Sequence, residues 1–421
     1  MMRSLFSGVS GLQNHQIRMD VIGNNIANVN TVGFKGSRAT FKETLSQTLI
    51  SASAPDPGRN LGGINPCQIG LGVGLSSIDV IHSPGGTQST NSETDLAVEG
   101  TGFFIVADGA KQYYTRAGMM EFDGAGTLVS KSNGLPVMGY LANEKGEIVD
   151  TGGQLQHLRI TSDIHSISPV STSSVVLNGN VSAFTENGES LSRIATVYDS
   201  LGATHRVIIT FEKNAPNNWS WSAKLENDSS NTQLGPTDPA ERVLSFNDDG
   251  TVLAGNIGNI IIPSTLLEPG QAEELEFELD LNGVRQFAED NSLVVQRQNG
   301  FPSGDLDGIS IDQSGILIGS YSNGLIKHLG QVALARFENP PGLLKVGDTM
   351  FEESVNSGNP VIGLANTGGF GSIMSNSLEM SNVDLSEEFT EMIITQRGFQ
   401  ANSRVITSAD EMLQELVNLK R

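Results

Sequence analysis

Residues 384–400, DLSEEFTEMIITQRGFQ, decide the reading of the fold. They open a long amphipathic helix predicted over about 383–419. Asp384 and Glu387 form a capping box there: Asp384 is placed to accept a backbone N–H of the first turn, and Glu387 to reach back. No proline follows. Met392, Phe399, Ile406 and Leu413 recur every seven residues. Gly398, Ala401, Val405, Ala409, Met412, Leu416 and Leu419 make a second stripe at helical spacing. Two stripes leave the helix apolar on more than one side. At about 1.5 Å per residue it spans roughly 54 Å. Lys420 and Arg421 close it at the negative end of its dipole.

Working outward, the first thirty residues have the same character. Leu5, Leu12, Met19 and Ile26 recur every seven, with Val9 between them. A seven-residue apolar repeat fits a coiled-coil-like seam, so the two termini are expected to meet. The plainer reading is a helical pair packed on one domain's core. The run Asn24, Asn25, Ile26, Ala27, Asn28 predicts a helix end near Asn28 with a left-handed residue. A second, shorter helix is expected over 38–50, and 51–66 reads as a linker or long loop.

From about residue 69 the signal is β. Ten Asn-Gly or Asp-Gly pairs mark turns, among them those at Gly109, Gly134, Gly179, Gly250, Gly283 and Gly324. Phe103 to Val106 and Val207 to Phe211 read as strands, as does the alternation of Trp219, Trp221, Ala223 and Leu225. Residues 274–281 alternate Glu or Asp with Leu or Phe, which predicts a strand with one wet acidic face. The composition shifts near 145 and 296, which marks an insert. The fold class is therefore mainly β with α-helical termini.

At 421 residues the chain can build several cores. Its net charge of −22 disfavours nucleic acid and anionic lipid as partners. The first fifteen residues hold no continuous apolar stretch, and no run of about 18 apolar residues occurs, so neither a signal peptide nor a membrane span is expected. The six histidines show no metal-ligand spacing. The glycines at 70, 72 and 74 lack the helix of a dinucleotide loop. Asp305, Asp307 and Asp312 lack the register and closing glutamate of a calcium loop, and are read as a solvated turn. Nothing points to an enzyme, a cofactor or a metal. A different class, a secreted β-rich binding or adhesive protein, would need an exposed aromatic groove, with Trp219 and Trp221 as its candidates.

Five motifs in order resemble the flagellar axial proteins of bacteria, the family of rod and hook subunits. They are Asn24 to Asn28 with Thr31 to Lys35; Asp95 to Phe104; Tyr114 to Gly118 with Phe122, Leu128 and Val129; Tyr321 to Gly324 with Asn339 to Leu343; and Ser381 to Ser386 with Gln396 to Gln400. They cover both ends of the chain and both flanks of the insert. Length and insert favour the hook branch; a distal rod protein is the alternative within the family.

The resemblance implies three layers. They are a coiled-coil-like helical inner domain (1–35 and 376–421), a discontinuous β-rich middle domain (69–145 and 297–362) and an inserted β-barrel-like outer domain (146–296), with linkers at 36–68 and 363–375. It implies a helical homopolymer, a curved tube that carries torque as a universal joint. Its partners would be the distal rod protein, the hook cap protein, the hook–filament junction protein and the flagellar type III export apparatus, with no membrane insertion. Its place would be the hook and basal body, extracellular, or periplasmic in a spirochaete.

Subunit contacts are expected from Leu5, Leu12, Met19 and Ile26, with Asn24, Asn25 and Asn28 at the helix end. On the other helix they are expected from Met392, Phe399, Val405, Ile406, Met412, Leu413 and Leu416. Spirochaete relatives join hook subunits by a lysinoalanine cross-link whose cysteine lies in an outer β domain. Here the one cysteine, Cys67, falls in the inner linker, a departure that argues against that chemistry.

Overall fold

The structure, a computed structural model, describes residues 2–55, 62–143, 154–160, 162–228, 232–236, 238–267 and 273–419. It divides into two compact units. One holds Met1–Ile160, Ile309–Ile318 and His328–Arg421; the other holds Thr161–Gly308 and Gly319–Lys327.

The inserted unit carries two open sheets. The strands Ser190–Tyr198, Thr204–Ala215, Asn218–Leu225, Val243–Phe246 and Val252–Ala254 follow one another across the first. The second runs in the order Ile257–Ile262, Leu275–Phe287, Ser174–Ser182, Val294–Gln298. Inward residues of both sheets share one apolar core, and neither sheet closes into a barrel among the described residues. The period-2 pattern accounts for this. Leu275, Phe277, Leu279 and Leu281 are buried, while Glu274, Glu276 and Glu278 are exposed. Trp219 and Trp221 lie in the core at 0% and 1% exposure, so they form no aromatic groove.

Three of the expected Asn-Gly or Asp-Gly turns lie inside strands, Asp307-Gly308 among them. Asn178 and Gly179 lie inside one strand, Asn282 and Gly283 inside its parallel neighbour, and Asn178 pairs with Gly283 across a register shift. Gly179 has φ 129°, and a Cβ there would sit 2.4 Å from the Ser292 carbonyl oxygen. The glycine serves a bulge and a close backbone approach instead of a hairpin. Residues 304–311, expected as a solvated turn, form the strand Gly304–Ile311.

In the other unit an N-terminal helix, Met2–Ala27, and a C-terminal helix, Leu385–Asn418, flank antiparallel strands. The strands Phe103–Asp108, Lys111–Thr115 and Ile326–Arg336 build a core around Phe103, Tyr114, Phe337 and Phe351. The helix expected over 38–50 does not form. Those residues make β1 (Ser37–Glu43) and β2 (Ser46–Ile50). β1 pairs with β4 (Val73–Val80), and β2 with β3 (Cys67–Gly70), so the segments 37–50 and 67–80 form one long antiparallel ribbon. Thr40, Phe41, Thr44, Thr48 and Ile50 supply the β-branched and aromatic content that outweighs the weak helical spacing. Near the end of the chain, Ser372–Ser375 pairs with Leu96–Glu99, and Ser377–Glu379 with Thr87–Ser89. These pairings tie the entry to the C-terminal helix onto the β part of the unit.

Candidate assembly interface

Each helix ends by side-chain chemistry near its motif. Asn28 Nδ2 donates to the Asn24 carbonyl oxygen at 2.9 Å, and Thr31 Oγ1 donates to Asn28 Oδ1 at 3.1 Å, which closes the N-terminal helix. The left-handed residue falls later than the sequence predicted: it is Gly33, φ 68°. A Cβ there would lie 2.5 Å from the Ala117 nitrogen, so the turn needs glycine twice over. At the C-terminal helix, Asp384 Oδ1 accepts the N–H groups of Ser386 at 2.7 Å and Glu387 at 3.4 Å. Glu387 joins this cap through its backbone N–H.

The two helices pack on each other, but the seam is not a row of large apolar side chains. On the N-terminal helix the buried residues are Gly8, Gly11, Asn14, Ile22 and Asn25, while Leu5, Leu12, Met19 and Ile26 are only half-buried. An added Cβ at Gly8 would meet Ile406 Cγ1 at 3.2 Å, and one at Gly11 would meet Asn402 Nδ2 at 2.7 Å. Across the seam, a Cβ at Gly398 would meet the His15 ring at 2.7 Å. Small residues let the backbones approach where a Leu–Leu seam would hold them apart.

On the C-terminal helix, Thr395 and Ala409 are buried, and Met392, Phe399, Ile406 and Leu413 are half-buried around them. The second stripe divides. Gly398 and Ala409 turn toward the seam, while Ala401, Val405, Met412 and Leu419 stay exposed. The side chain of Leu416 lies outside the described residues, as do Lys420 and Arg421.

The motif asparagines have separate tasks. Asn24 is exposed and accepts the Asn28 amide. Asn25 is buried and clamps three segments. Its Oδ1 accepts the Ser37 N–H at 2.9 Å, and its Nδ2 donates to the Ser37 carbonyl and to Glu388 Oε1, both at 2.8 Å. Burial pushes the Glu388 carboxyl up from its ordinary value, with Asn25 working against that shift. Arg18 and Glu391 add a partly exposed ion pair at 3.0 Å. Asn382 does the same service from the other terminus. Its Oδ1 accepts the Gly36 N–H at 2.9 Å, and its Nδ2 donates to the Ile81 carbonyl at 2.8 Å.

Below these clamps lies a buried charge cluster that sequence reasoning missed. Lys35 Nζ reaches Glu379 Oε1 at 2.6 Å, and Arg116 Nη1 reaches Glu379 Oε2 at 3.4 Å; all three side chains are almost fully buried. Lys35 also donates to the Ser83 carbonyl, the Gly85 N–H donates to Glu379 Oε1, and Arg116 donates to the carbonyls of Val98 and Gly100. Burial lowers the pKa of both Lys35 and Arg116, and Glu379 opposes the shift in each. His82 packs edge-on against Phe103 and at a tilt against Phe351 nearby. Burial, then the positive charges of Lys35, Arg116 and Lys345, push it down to about 4.

Lys35 and Arg116 stand in two of the quoted motifs, so a signal was present: single basic residues set among glycines and small apolar side chains. Glu379 lies just outside the last motif and carried none. Cys67 is exposed at the start of β3. Among the described residues no group of His, Cys, Asp and Glu could hold a metal, and no helix is long and apolar enough to cross a membrane.

Helical termini locked to a β unit by their own motifs define an axial-filament type of subunit, and the comparisons agree. The chain matches the family models described as flagella basal body rod protein (residues 5–35), flagellar hook protein FlgE/F/G D1 domain (97–183), flagellar basal body protein FlaE D2 domain (184–301) and flagellar basal body rod FlgEFG protein C-terminal (374–419). It is 41% identical to the flagellar hook protein FlgE of Borreliella burgdorferi and 38% identical to that of Treponema pallidum, over 100% of each chain in both cases. The crystal structure of Helicobacter pylori flagellar hook protein FlgE2 shares the fold, with TM-score 0.54 and 14% identity over 70% of this chain and 100% of that one. The chain belongs to the flagellar hook protein family, whose members are structural subunits of the hook.

Proposed function

We propose that many copies of this chain assemble helically into a short curved tube, a universal joint that passes motor torque from rod to filament. The helical termini form the inner wall. One helical face, with Met392, Phe399, Ile406 and Leu413, belongs to the subunit's own helix pair. The other, with Val405 and Met412, meets a neighbouring subunit. The observation that carries this is the bare second stripe: in a single chain Val405 and Met412 remain 45% and 51% exposed beside a formed helix pair. Apolar surface left open along a rigid helix is a contact waiting for a partner, worth about 25 cal/mol per Å² buried.

The remaining partners follow from the family. The distal rod protein lies below, a cap protein guides growth, junction proteins lie above, and the type III apparatus exports the chain. The place of work is the flagellar hook, outside the cell or in the periplasm.

The test is the double variant Val405→Asp with Met412→Asp. It should keep the circular dichroism of the free chain and lose polymer formation in sedimentation and electron microscopy. A variant that still builds tubes would overturn the assignment of this stripe.

A further inference from the structure

The β2–β3 hairpin is among the most exposed regular elements described in its unit. Every residue of both strands faces solvent. Its register nevertheless gives it two different faces. Ser46 pairs with Gly70 and Thr48 with Gln68, which makes one face polar, and Gln68 Nε2 donates to Thr48 Oγ1 at 3.0 Å across it. The other face holds Cys67, Ile69 and Leu71, with the polar Gln47 opposite Ile69. The register shift between Thr48 and Ile50 sets Leu49 and Ile50 against Cys67, and Leu45 sits beside Leu71, whose N–H it accepts at 3.0 Å. Leu45, Leu49, Ile50, Ile69 and Leu71 range from 36% to 73% exposed.

An isolated two-stranded ribbon is marginal in water, so an amphipathic one with an uncovered apolar face is built to be covered. Its stem is held firmly. Thr44 N–H donates to the Gly72 carbonyl at 3.0 Å, and Asn14 Nδ2 of the N-terminal helix donates to the Val73 carbonyl at 2.8 Å. The ribbon is thus carried as a fixed arm.

A second apolar surface is equally bare. Leu385, Phe389 and Ile393 stand four residues apart at the start of the C-terminal helix, exposed by 41%, 51% and 53%. They belong neither to the helix seam nor to the stripe of Val405 and Met412. Their eight-residue span covers about 12 Å of helix. The arm from Leu45 to Ile50 covers about 17 Å of strand. We propose that the apolar face of the β2–β3 arm docks on the Leu385, Phe389 and Ile393 stripe of a second copy of this chain.

Both surfaces are open in one chain, and they are different patches. A contact between unlike patches is heterologous and repeats without closing, as a tube requires; pairing of the arm with itself would stop at a dimer. The inference rests on the assembly reading above and adds to it a specific contact.

Cys67 supplies the probe. In wild-type polymer, first verified by electron microscopy, it should react with a maleimide at least about tenfold more slowly than in the free chain, because docking removes its exposure. Equal rates would overturn the docking while leaving the assembly reading intact. In Ile393→Cys polymer, mild oxidation should link Cys67 of one copy to the new cysteine of the next, giving a ladder of dimers, trimers and longer chains on a non-reducing gel. Gln400→Cys polymer should give none. An Ile393→Cys polymer that stays monomeric on the gel would overturn the contact, and so would a wild-type polymer that yields Cys67–Cys67 dimers. If Ile393→Cys fails to polymerise, the wild-type labelling decides alone. A wild-type chain that never polymerises strikes the assembly reading itself, and the docking with it.

Discussion

The inserted unit and the helix pair use their apolar residues in opposite ways. In the insert, Trp219, Trp221, Phe211, Phe277 and the leucines of 275–281 all point into one core, and the acids point out. In the helix pair, glycine, asparagine, threonine and alanine occupy the inside, while Phe389, Ile393, Val405 and Met412 stand outside. The insert fills a core of its own within the single chain. The helix pair leaves apolar side chains open to solvent and is held in place by hydrogen bonds and buried charge rather than by a filled apolar seam. Under the proposed assembly, stability and polymerisation rest on different residues and should be separable by mutation.

Both tryptophans lie in the insert, so tryptophan fluorescence reports that unit while helical circular dichroism reports the termini. The largest effect is expected from Trp221→Ala, whose ring fills the space over Gly258. It should cost about 3–5 kcal/mol in urea unfolding read by the fluorescence of Trp219, and leave the helical transition in place. Glu379→Gln reverses the pattern. It leaves Lys35 and Arg116 buried without their shared anion, which costs about 3–5 kcal/mol. The helical transition should move and the tryptophan transition stay; joint movement of both would show that the two units unfold as one.

A third effect, on the order of 3 kcal/mol, comes from His82, whose pKa falls from 6.5 to about 4 on folding. Between those values the folded chain binds fewer protons than the unfolded one. This contribution is complete above pH 6.5, declines as the pH drops, and is lost through about pH 4. Acid titration should therefore loosen the helical unit across that window, and His82→Phe should flatten the titration. A wild-type profile already flat there would remove His82 from the account.

The smallest effect is at Gly23, where an added Cβ meets nothing within 4 Å. Gly23→Ala should stabilise the helix by about 0.5–1 kcal/mol, seen as a higher melting temperature of the helical signal.

Much of this is legible in the sequence. The cap at Asp384, the helix end near Asn28, the acidic face of 274–281 and the burial of Trp219 and Trp221 all follow from local spacing. The failures are also local. The 38–50 stretch has helical spacing but strand composition, and its two partner strands come later in the chain, at 67–70 and 73–80, where periodicity within the stretch does not reach. Asn178-Gly179 and Asn282-Gly283 carry the signature of turns but face each other inside a parallel pair that no short window contains.

By itself, the sequence determined which faces of its elements are apolar, because a side chain's direction depends only on its own backbone period. It also placed the motif residues and, through them, the family. Only the tertiary structure decided which apolar face is covered: the seam chose Gly8, Gly11 and Gly398 for closeness and left Val405 and Met412 outside. It alone joined Lys35 to Glu379 across 344 residues of chain. Whether a buried charge finds its partner is a property of where the chain returns, and no local pattern records that.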